Sequence, residues 1–482
     1  MLRGVSVSLL PADRFALRPA DRARFERHAE RAVKRARQRG EALASVTVRA
    51  GDEVDPAAVA FASRRAGEPS FVFEQPDRAG SALAGLGCVR ELEGRGLGRF
   101  DVVARAWRQL VETAAADPVE GPPGSGLVAV GGFAFSPQGG STPHWAPFPS
   151  ASLHVPELAL HRRAAEIRLT VTALARPDDT AGDLLARVDR RLAELRQAPL
   201  PLLDPEPVGR VRVASTMPPE HYEAAVARAV ERIRAGALEK IVLAREVAVH
   251  APAEHDVPAI HGILREAFPG CFLFAVGRRS ASFVGASPEL LLRREGLRAS
   301  TVALAGSARR SADPAVDDHL GEQLLGSEKN RAEQAIVTRR IERALRPHSV
   351  WVTAASEPVV AKMANIQHLA TPIRAQLAHP VGAVELAGML HPTPAVGGEP
   401  FTTAAPLIPA LEGLDRGWYA GPVGWTDASE DGEWCVALRS ALLDGPVARC
   451  YAGVGVVADS DPEAELAETE VKLQALLPVL AG

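Results

Sequence analysis

The sequence predicts an α+β fold, and two observations carry that expectation. Helix-period and strand-period segments are interspersed along the whole chain of 482 residues. Neighbouring strand candidates also read as hairpins, CFLFAVG (271–277) beside SASFVGA (280–286) most plainly, which favours antiparallel pairing.

Taken in order, RARFERHAERAVKRARQRGE (22–41) carries apolar residues at helical spacing and reads as a helix. SFVFEQ (70–75), LVAVGGFAF (127–135) and IRLTVTALA (167–175) are rich in β-branched and aromatic residues and read as strands. Helical patterns return at 180–197 and 219–235, and KIVLAREVAV (240–249) is a strand candidate. Residues 327–345 and 461–477 read as helices, and YAGVGVVADSDP (451–462) as a strand. QAPLPLLDPEPVGR (197–210) holds four prolines, which exclude regular structure over most of its length. It is either a domain linker or a surface connection inside one fold.

Length alone allows about three domains at roughly 150 residues each, or one large fold with a sizeable core. At 46% hydrophobic and 24% charged residues the composition is that of a globular protein. A net charge of −4 without a dominant basic block argues against nucleic-acid binding. The nearest basic run, RAVKRARQR (31–39), follows Glu26 and Glu30 and reads as a solvated helix face. Cys88, Cys271, Cys435 and Cys450 show no CxxC spacing, which suits a reducing cytosol and argues against structural zinc. MLRGVSVSLLPADR at the start is too short in its apolar part for a signal peptide. No run approaches the roughly 20 apolar residues that span a bilayer. A cytoplasmic protein without a membrane partner is expected.

The positive charges are unevenly chosen. Five are lysines (Lys34, Lys240, Lys329, Lys362, Lys472) and the other 50 are arginines. A lysine kept in such a chain has a reason, and one thing lysine does that arginine cannot is lose its proton. Spacing around Lys240 favours an exposed side chain with its stem along apolar surface; scarcity argues for function. Glu289, in FVGASPELLLRR (283–294), follows a Ser-Pro corner and enters an apolar run. It is either a solvated glutamate at a turn or a dehydrated carboxyl with a raised pKa, able to act as a general acid. Ser327 is a candidate N-cap, with Asn330 and Glu333 on the helix it opens. Glu465, Glu468 and Lys472 form one stripe on the last helix. Acids from two elements suit Mg²⁺, although acids near helix starts also favour the dipole without any metal. Gly453 and Gly455 alternate in a strand and imply close approach of backbone or ligand; the pattern is not a dinucleotide fingerprint.

In this order the motifs EKIVLAR, VGASPELLLR, LAGSARR (304–310), SEKNRAEQ, NIQHLATPI (365–373), LHPTPAVGG (390–398), WYAGPVGW (418–425), CVALRSALL (435–443) and AGVGVVADSDPEAELAETEVKL (452–473) resemble the chorismate-utilising enzymes. The likeness is strong over 206–482, the expected chorismate-binding catalytic region. It is weaker over 1–205, where EPSFVFEQPDR (68–78) and GGFAFSP (131–137) look like stretches of isochorismate synthases, so that part is expected to complete the same fold. The resemblance implies large, mostly antiparallel sheets flanked by helices, with the site in the cleft between them. It implies conversion of chorismate to isochorismate, with Lys240 as base on water attacking C2 and Glu289 as acid for the departing C4 hydroxyl. Glu333 and Glu468 match Mg²⁺ ligands, with Glu465 a nearby acid. Arg439 and Tyr419 match residues holding the enolpyruvyl carboxylate. Gly306, Ser307, His368, Gly453, Gly455 and Lys472 match further substrate-binding positions.

Lysine at 240 is the mark of water-using members; ammonia-using ones carry glutamine there, so no glutaminase subunit is expected. Ala305 stands where aminodeoxychorismate synthases carry a nucleophilic lysine. LHPTPAVGG has the isochorismate synthase form, which argues against a salicylate synthase, the nearest alternative. A catalytically silent subunit is opposed by the complete set of site residues. No redox or nucleotide cofactor is implied, and relatives of this type are often monomers. Two positions depart from the common pattern: Gln334 stands where many members carry histidine, and Asn330 where some carry an acid.

Overall fold

A computed structural model describes residues 15–118, 120–203 and 209–481. The start of the chain, where no signal peptide is expected, and the middle of the proline-rich 197–210 stretch, expected to be a linker or a surface connection, lie outside the described residues. Two sheets account for the architecture, and every strand pair within them is antiparallel. Among the described residues the first has twelve strands. From one edge it runs Ala42–Arg49, Glu166–Ala175, Leu158–Arg163, Ser81–Leu86, Gly67–Gln75, Phe272–Arg279, Ala281–Ser287, Ser440–Asp444, Val447–Val456, Lys240–His250 and Gly398–Glu399, with Arg212–Ser215 also on Lys240–His250. The second has ten, with Arg298–Arg309 and Ile366–Leu377 near one end and Leu290–Glu295, Gly432–Val436, Pro422–Asp427 and Val128–Phe133 following.

Residues before and after 205 therefore share both sheets. Gly67–Gln75 pairs with Phe272–Arg279, and Val128–Phe133 with Pro422–Asp427.

Alternation along the strands decides what each face meets. Phe71, Phe73, Phe272, Phe274 and Val276 point to the core shared with the second sheet. Val72, Leu273 and Ala275 point the other way, to a core closed by the helices Pro19–Arg39 and Ala181–Ala193. The first sheet is thus covered on both faces, which explains why its strands are so continuously apolar.

Helix starts follow their caps. The Ser327 hydroxyl accepts from the Asn330 amide and opens Glu328–Leu345, and Asp461 accepts from the Ala464 amide and opens Pro462–Leu473. The strand expected over 451–462 ends at Val456. Its last residues turn instead, with the Ser460 hydroxyl taking the Val457 amide before the Asp461 cap.

The chain crosses between the sheets at two neighbouring places. Ser287–Leu290 leads from the first sheet to the second, and Val436–Ser440 leads back, with the Val436 amide donating to the Glu289 carbonyl oxygen (3.1 Å). These crossovers carry Glu289 and Arg439 to one place between the layers.

Candidate active site

A cleft opens there. Its walls are Gly453 and Gly455 from the first sheet, Gly306, Ser307 and His368 from the second, Glu289 and Arg439 from the crossovers, and Tyr419 from the turn before Pro422–Asp427. Helix Glu328–Leu345 contributes Lys329, Asn330 and Glu333, and helix Pro462–Leu473 contributes Glu465, Glu468 and Lys472. All the expected site residues meet at this cleft except Lys240, which stands just behind its wall.

Lys240 is only 1% exposed. The exposed side chain that spacing favours is not found, because both faces of the strand Lys240–His250 are covered. Its ammonium lies 2.7 Å from Glu333 Oε1, so Glu333 stands between the lysine and the open space. Gly455 makes room for that pair: a Cβ there would lie 2.3 Å from Glu333 Oε1 and 2.7 Å from Lys240 Cε. The glycine pair does mark a close approach, here between backbone and site side chains.

Glu289 is 3% exposed, not a solvated residue at a turn. Burial pushes its carboxyl up to about 8; Lys240, Arg439 and Lys472 oppose the rise, Lys240 most strongly. The group therefore holds a proton at neutral pH.

Arg439 and His368 stand together on the cleft wall. His368 Nδ1 lies 2.9 Å from the Gly306 carbonyl oxygen, and Arg439 Nη2 donates to His368 Nε2 (3.1 Å). A carbonyl can only accept, so the ring is neutral with its proton on Nδ1. Burial, Arg439 and Lys472 agree, pulling its pKa down to about 3. Gly306 sits at a register shift with φ +67°, where a Cβ would lie 2.9 Å from Asn330 Oδ1. Arg439 itself has φ +46°, a left-handed backbone at a non-glycine residue of the kind found at functional sites.

Each candidate metal ligand has a lysine. Lys240 pairs with Glu333, Lys472 with Glu468 (2.7 Å) and Lys329 with Glu465 (3.0 Å). Lys472 also donates to the Gly453 carbonyl oxygen (2.8 Å), and the Ser307 hydroxyl donates to Glu468. Burial works to raise the Glu468 pKa, but Lys472 and Ser307 outweigh it and bring it down to about 2. Glu465, with burial dominant, is shifted upward. Lys329 is a site residue that motif resemblance misses, although scarcity marks it as well as Lys240; its partner lies 136 residues away.

The donor set suits Mg²⁺. Glu333 and Glu468 offer hard carboxylate oxygens to one cleft, and among the described residues no three metal-capable side chains form a ready cage. An ion that takes one or two carboxylates, waters and substrate oxygens fits that arrangement. The departures from the common pattern leave those ligands in place. Gln334 is buried against the sheet, donating to the Ala303 carbonyl oxygen (2.8 Å) and Thr371 Oγ1 (2.9 Å). Asn330 lines the cleft and donates to Ser327 Oγ.

A cleft between antiparallel layers with a buried lysine, a buried glutamic acid and an arginine set against a histidine defines a class, and comparison with known proteins agrees. The family described as chorismate binding enzyme matches residues 29–481, and the chain belongs to it. Within that family it resembles the isochorismate synthases, which are isomerases. The salicylate biosynthesis isochorismate synthase of Pseudomonas aeruginosa is 39% identical over 433 residues, 89% of either chain. Isochorismate synthase MenF of Bacillus subtilis is 34% identical over 363 residues, 74% of this chain and 75% of that one. Among solved structures, the menaquinone-specific isochorismate synthase MenF of Escherichia coli superposes with a TM-score of 0.75 at 25% identity, covering 94% of this chain and 99% of its own. Anthranilate synthase component I from Streptococcus pneumoniae, at TM-score 0.65 and 20% identity, shares the fold. Among the described residues no helix is long and apolar enough to cross a membrane.

Proposed function

We propose that the protein is an isochorismate synthase, which adds water at C2 of chorismate, releases the C4 hydroxyl and keeps the enolpyruvyl ether. The observation that carries this reading is the burial of Lys240 just behind, and of Glu289 in, the wall of one cleft of a chorismate-binding fold, with burial shifting the Glu289 pKa upward. Glu289 gives its proton to the leaving hydroxyl, which departs as water. Lys240, as the neutral amine, takes a proton from the attacking water, so its pair with Glu333 must open for it to act. Proton and hydroxyl balance over the two transfers, one water in and one water out, and the reaction runs in both directions. Arg439, with Tyr419 beside it, presents a planar cation to the enolpyruvyl carboxylate. Lys472 stands ready for the ring carboxylate. Mg²⁺ on Glu333 and Glu468, with Glu465 nearby, would supply positive charge to hold the C1 carboxylate among these acids.

The test is incubation of purified protein with chorismate, with and without Mg²⁺, and chromatography of the products. Isochorismate in equilibrium with chorismate, without pyruvate, is the expected result. The name of the Pseudomonas relative joins isochorismate synthesis to salicylate biosynthesis, so salicylate with equimolar pyruvate is the informative contrary outcome. It would move the protein to the salicylate synthase reading.

A further inference from the structure

We infer that Arg416, held by Glu412, is a positioning residue that takes the place of a missing strand beside Lys240 and fixes three segments of the active cleft together. The inference rests on the function proposed above for its catalytic consequence, though not for its structural one.

The strand Lys240–His250 is paired on one side by Val447–Val456 from Ile241 to His250. Its other side is not. Gly398–Glu399 pairs only with Lys240 and Ile241, and Arg212–Ser215 pairs only from Val247 onward. Between them lies a gap in the ladder, and the backbone groups of a buried gap must find partners elsewhere. The Val242 amide donates to the Gly397 carbonyl oxygen (2.7 Å). The next two groups are taken by side chains. Arg416 Nη2 donates to the Val242 carbonyl oxygen (2.9 Å), and the Ala244 amide donates to Glu412 Oε1 (2.7 Å). An acceptor and a donor, correctly spaced, are thus supplied by one ion pair.

That pair is buried and bidentate. Arg416 Nη2 and Nε reach the two Glu412 oxygens at 2.5 and 3.0 Å, and Arg416 and Glu412 are 4% and 5% exposed. The remaining guanidinium nitrogen, Nη1, donates to the Val396 carbonyl oxygen (2.8 Å), in the loop after Pro392 and Pro394. The guanidinium carbon lies 4.2 Å from the centre of the Phe135 ring and 5.9 Å from that of Tyr419. The Arg416 carbonyl oxygen accepts from the Tyr419 amide (2.9 Å), and Arg416 also borders the cleft.

Burying two charges is costly, and a well-packed apolar pair often serves stability as well. What an apolar pair cannot do is complete a backbone ladder and bind a loop carbonyl in the same plane. Arginine's fork is suited to that; lysine offers one point of charge. The consequence is geometric: the strand that begins at Lys240, the 391–398 loop and the Tyr419 turn are set against one another by a single planar group.

The test uses the double variant Glu412→Gln/Arg416→Gln, which leaves no buried charge unpaired, beside Arg416→Lys. Thermal melting shows whether each is folded. Turnover of chorismate gives kcat and KM, and amide hydrogen exchange read by mass spectrometry reports the 240–246 segment. In folded protein the expected result is a kcat lower by about tenfold or more with KM changed far less, and faster exchange confined to 240–246. Arg416→Lys is not expected to restore kcat, because it keeps the charge and loses the fork. A folded variant with kcat within about twofold of the parent would overturn the positioning role. Unchanged exchange over 240–246 would overturn the structural one. If neither variant folds, hydrogen exchange of the parent decides: the Ala244 amide is expected to be as protected as the paired amides of Val247–His250, and fast exchange there would overturn the structural role. If the parent does not turn over chorismate, the proposed function fails by itself and the exchange measurement still tests Arg416.

Discussion

Lys240 Nζ lies 2.7 Å from Glu333 Oε1, and both side chains are buried at the wall of the cleft. A lysine so placed has a counter-charge at hand for its protonated form and loses it whenever Glu333 is engaged elsewhere. Arginine would keep the ion pair and never release a proton. Lys240→Arg is therefore expected to melt near the parent temperature and to lose activity by about 10²–10⁴-fold, the usual worth of a general base. Chorismate turnover beside a thermal melt checks this. A variant with a tenth of parental activity would end the case for Lys240 as the base.

Glu289 makes the pH dependence specific. Its carboxyl is raised by burial from 4.5 to about 8. Below about pH 4.5 it is protonated in folded and unfolded chains alike and contributes nothing. Between about 4.5 and 8 the folded protein keeps a proton that the unfolded chain has released, so stability falls as pH rises through that window. The loss is on the order of a few kcal/mol, at about 1.36 kcal/mol per unit. Glu289→Gln is expected to equal the parent in stability near pH 4 and exceed it at pH 9. Activity has its own signature: kcat/KM of the parent should fall above about pH 8 as the acid ionises. Melting curves of both proteins across pH, and the parental pH–rate profile, test the two halves separately.

Much of the fold and site is legible in the sequence, and the exceptions have physical reasons. Strands such as Phe272–Arg279 and Ala281–Ser287 announce themselves because adjacent segments pair locally. The burial of Lys240 does not, because both faces of Lys240–His250 mix apolar and charged residues and its sheet neighbour Val447–Val456 comes some 200 residues later. Glu289 is hidden for a similar reason: the crossover that buries it is closed by Val436. Motif resemblance brings the thirteen site residues together without any contact being visible. It does not bring Lys329 or Arg416, whose roles lie in partners that only the fold brings near, Glu465 for one and Val242 for the other.

Divalent-ion binding should be readable without catalysis. Lys472 and the Ser307 hydroxyl outweigh burial and leave Glu468 ionised near neutral pH, so it is ready to ligate. An ion that binds only the folded state raises its stability, by about 2.7 kcal/mol at a hundred times Kd. Mg²⁺ is expected to raise the melting temperature of the parent and to leave Glu333→Gln and Glu468→Gln unmoved. The same variants should lose activity, Glu333→Gln completely together with its response to Mg²⁺. Substantial activity of Glu333→Gln that still responds to Mg²⁺ would remove it as a ligand.

Gly455 offers a test that leaves every polar site residue in place. A Cβ at this position would come 2.3 Å from Glu333 Oε1, 2.7 Å from Lys240 Cε and 3.1 Å from Lys240 Nζ. These are the far ends of side chains, so the added methyl displaces the ion pair more readily than it disturbs the sheet. Gly453 differs, since its Cβ would meet the Leu243 carbonyl oxygen at 3.0 Å and the Tyr419 hydroxyl at 3.1 Å, contacts that small shifts relieve. Gly455→Ala should lose about 100-fold in kcat, the scale of an ångström's misplacement of a catalytic group, with a modest change in melting temperature. Gly453→Ala should lose less and show it chiefly in KM, because its neighbour Tyr419 is the residue proposed to face the substrate's carboxylate. Equal losses in the two variants would mean that the Lys240–Glu333 geometry is not what the glycine at 455 protects.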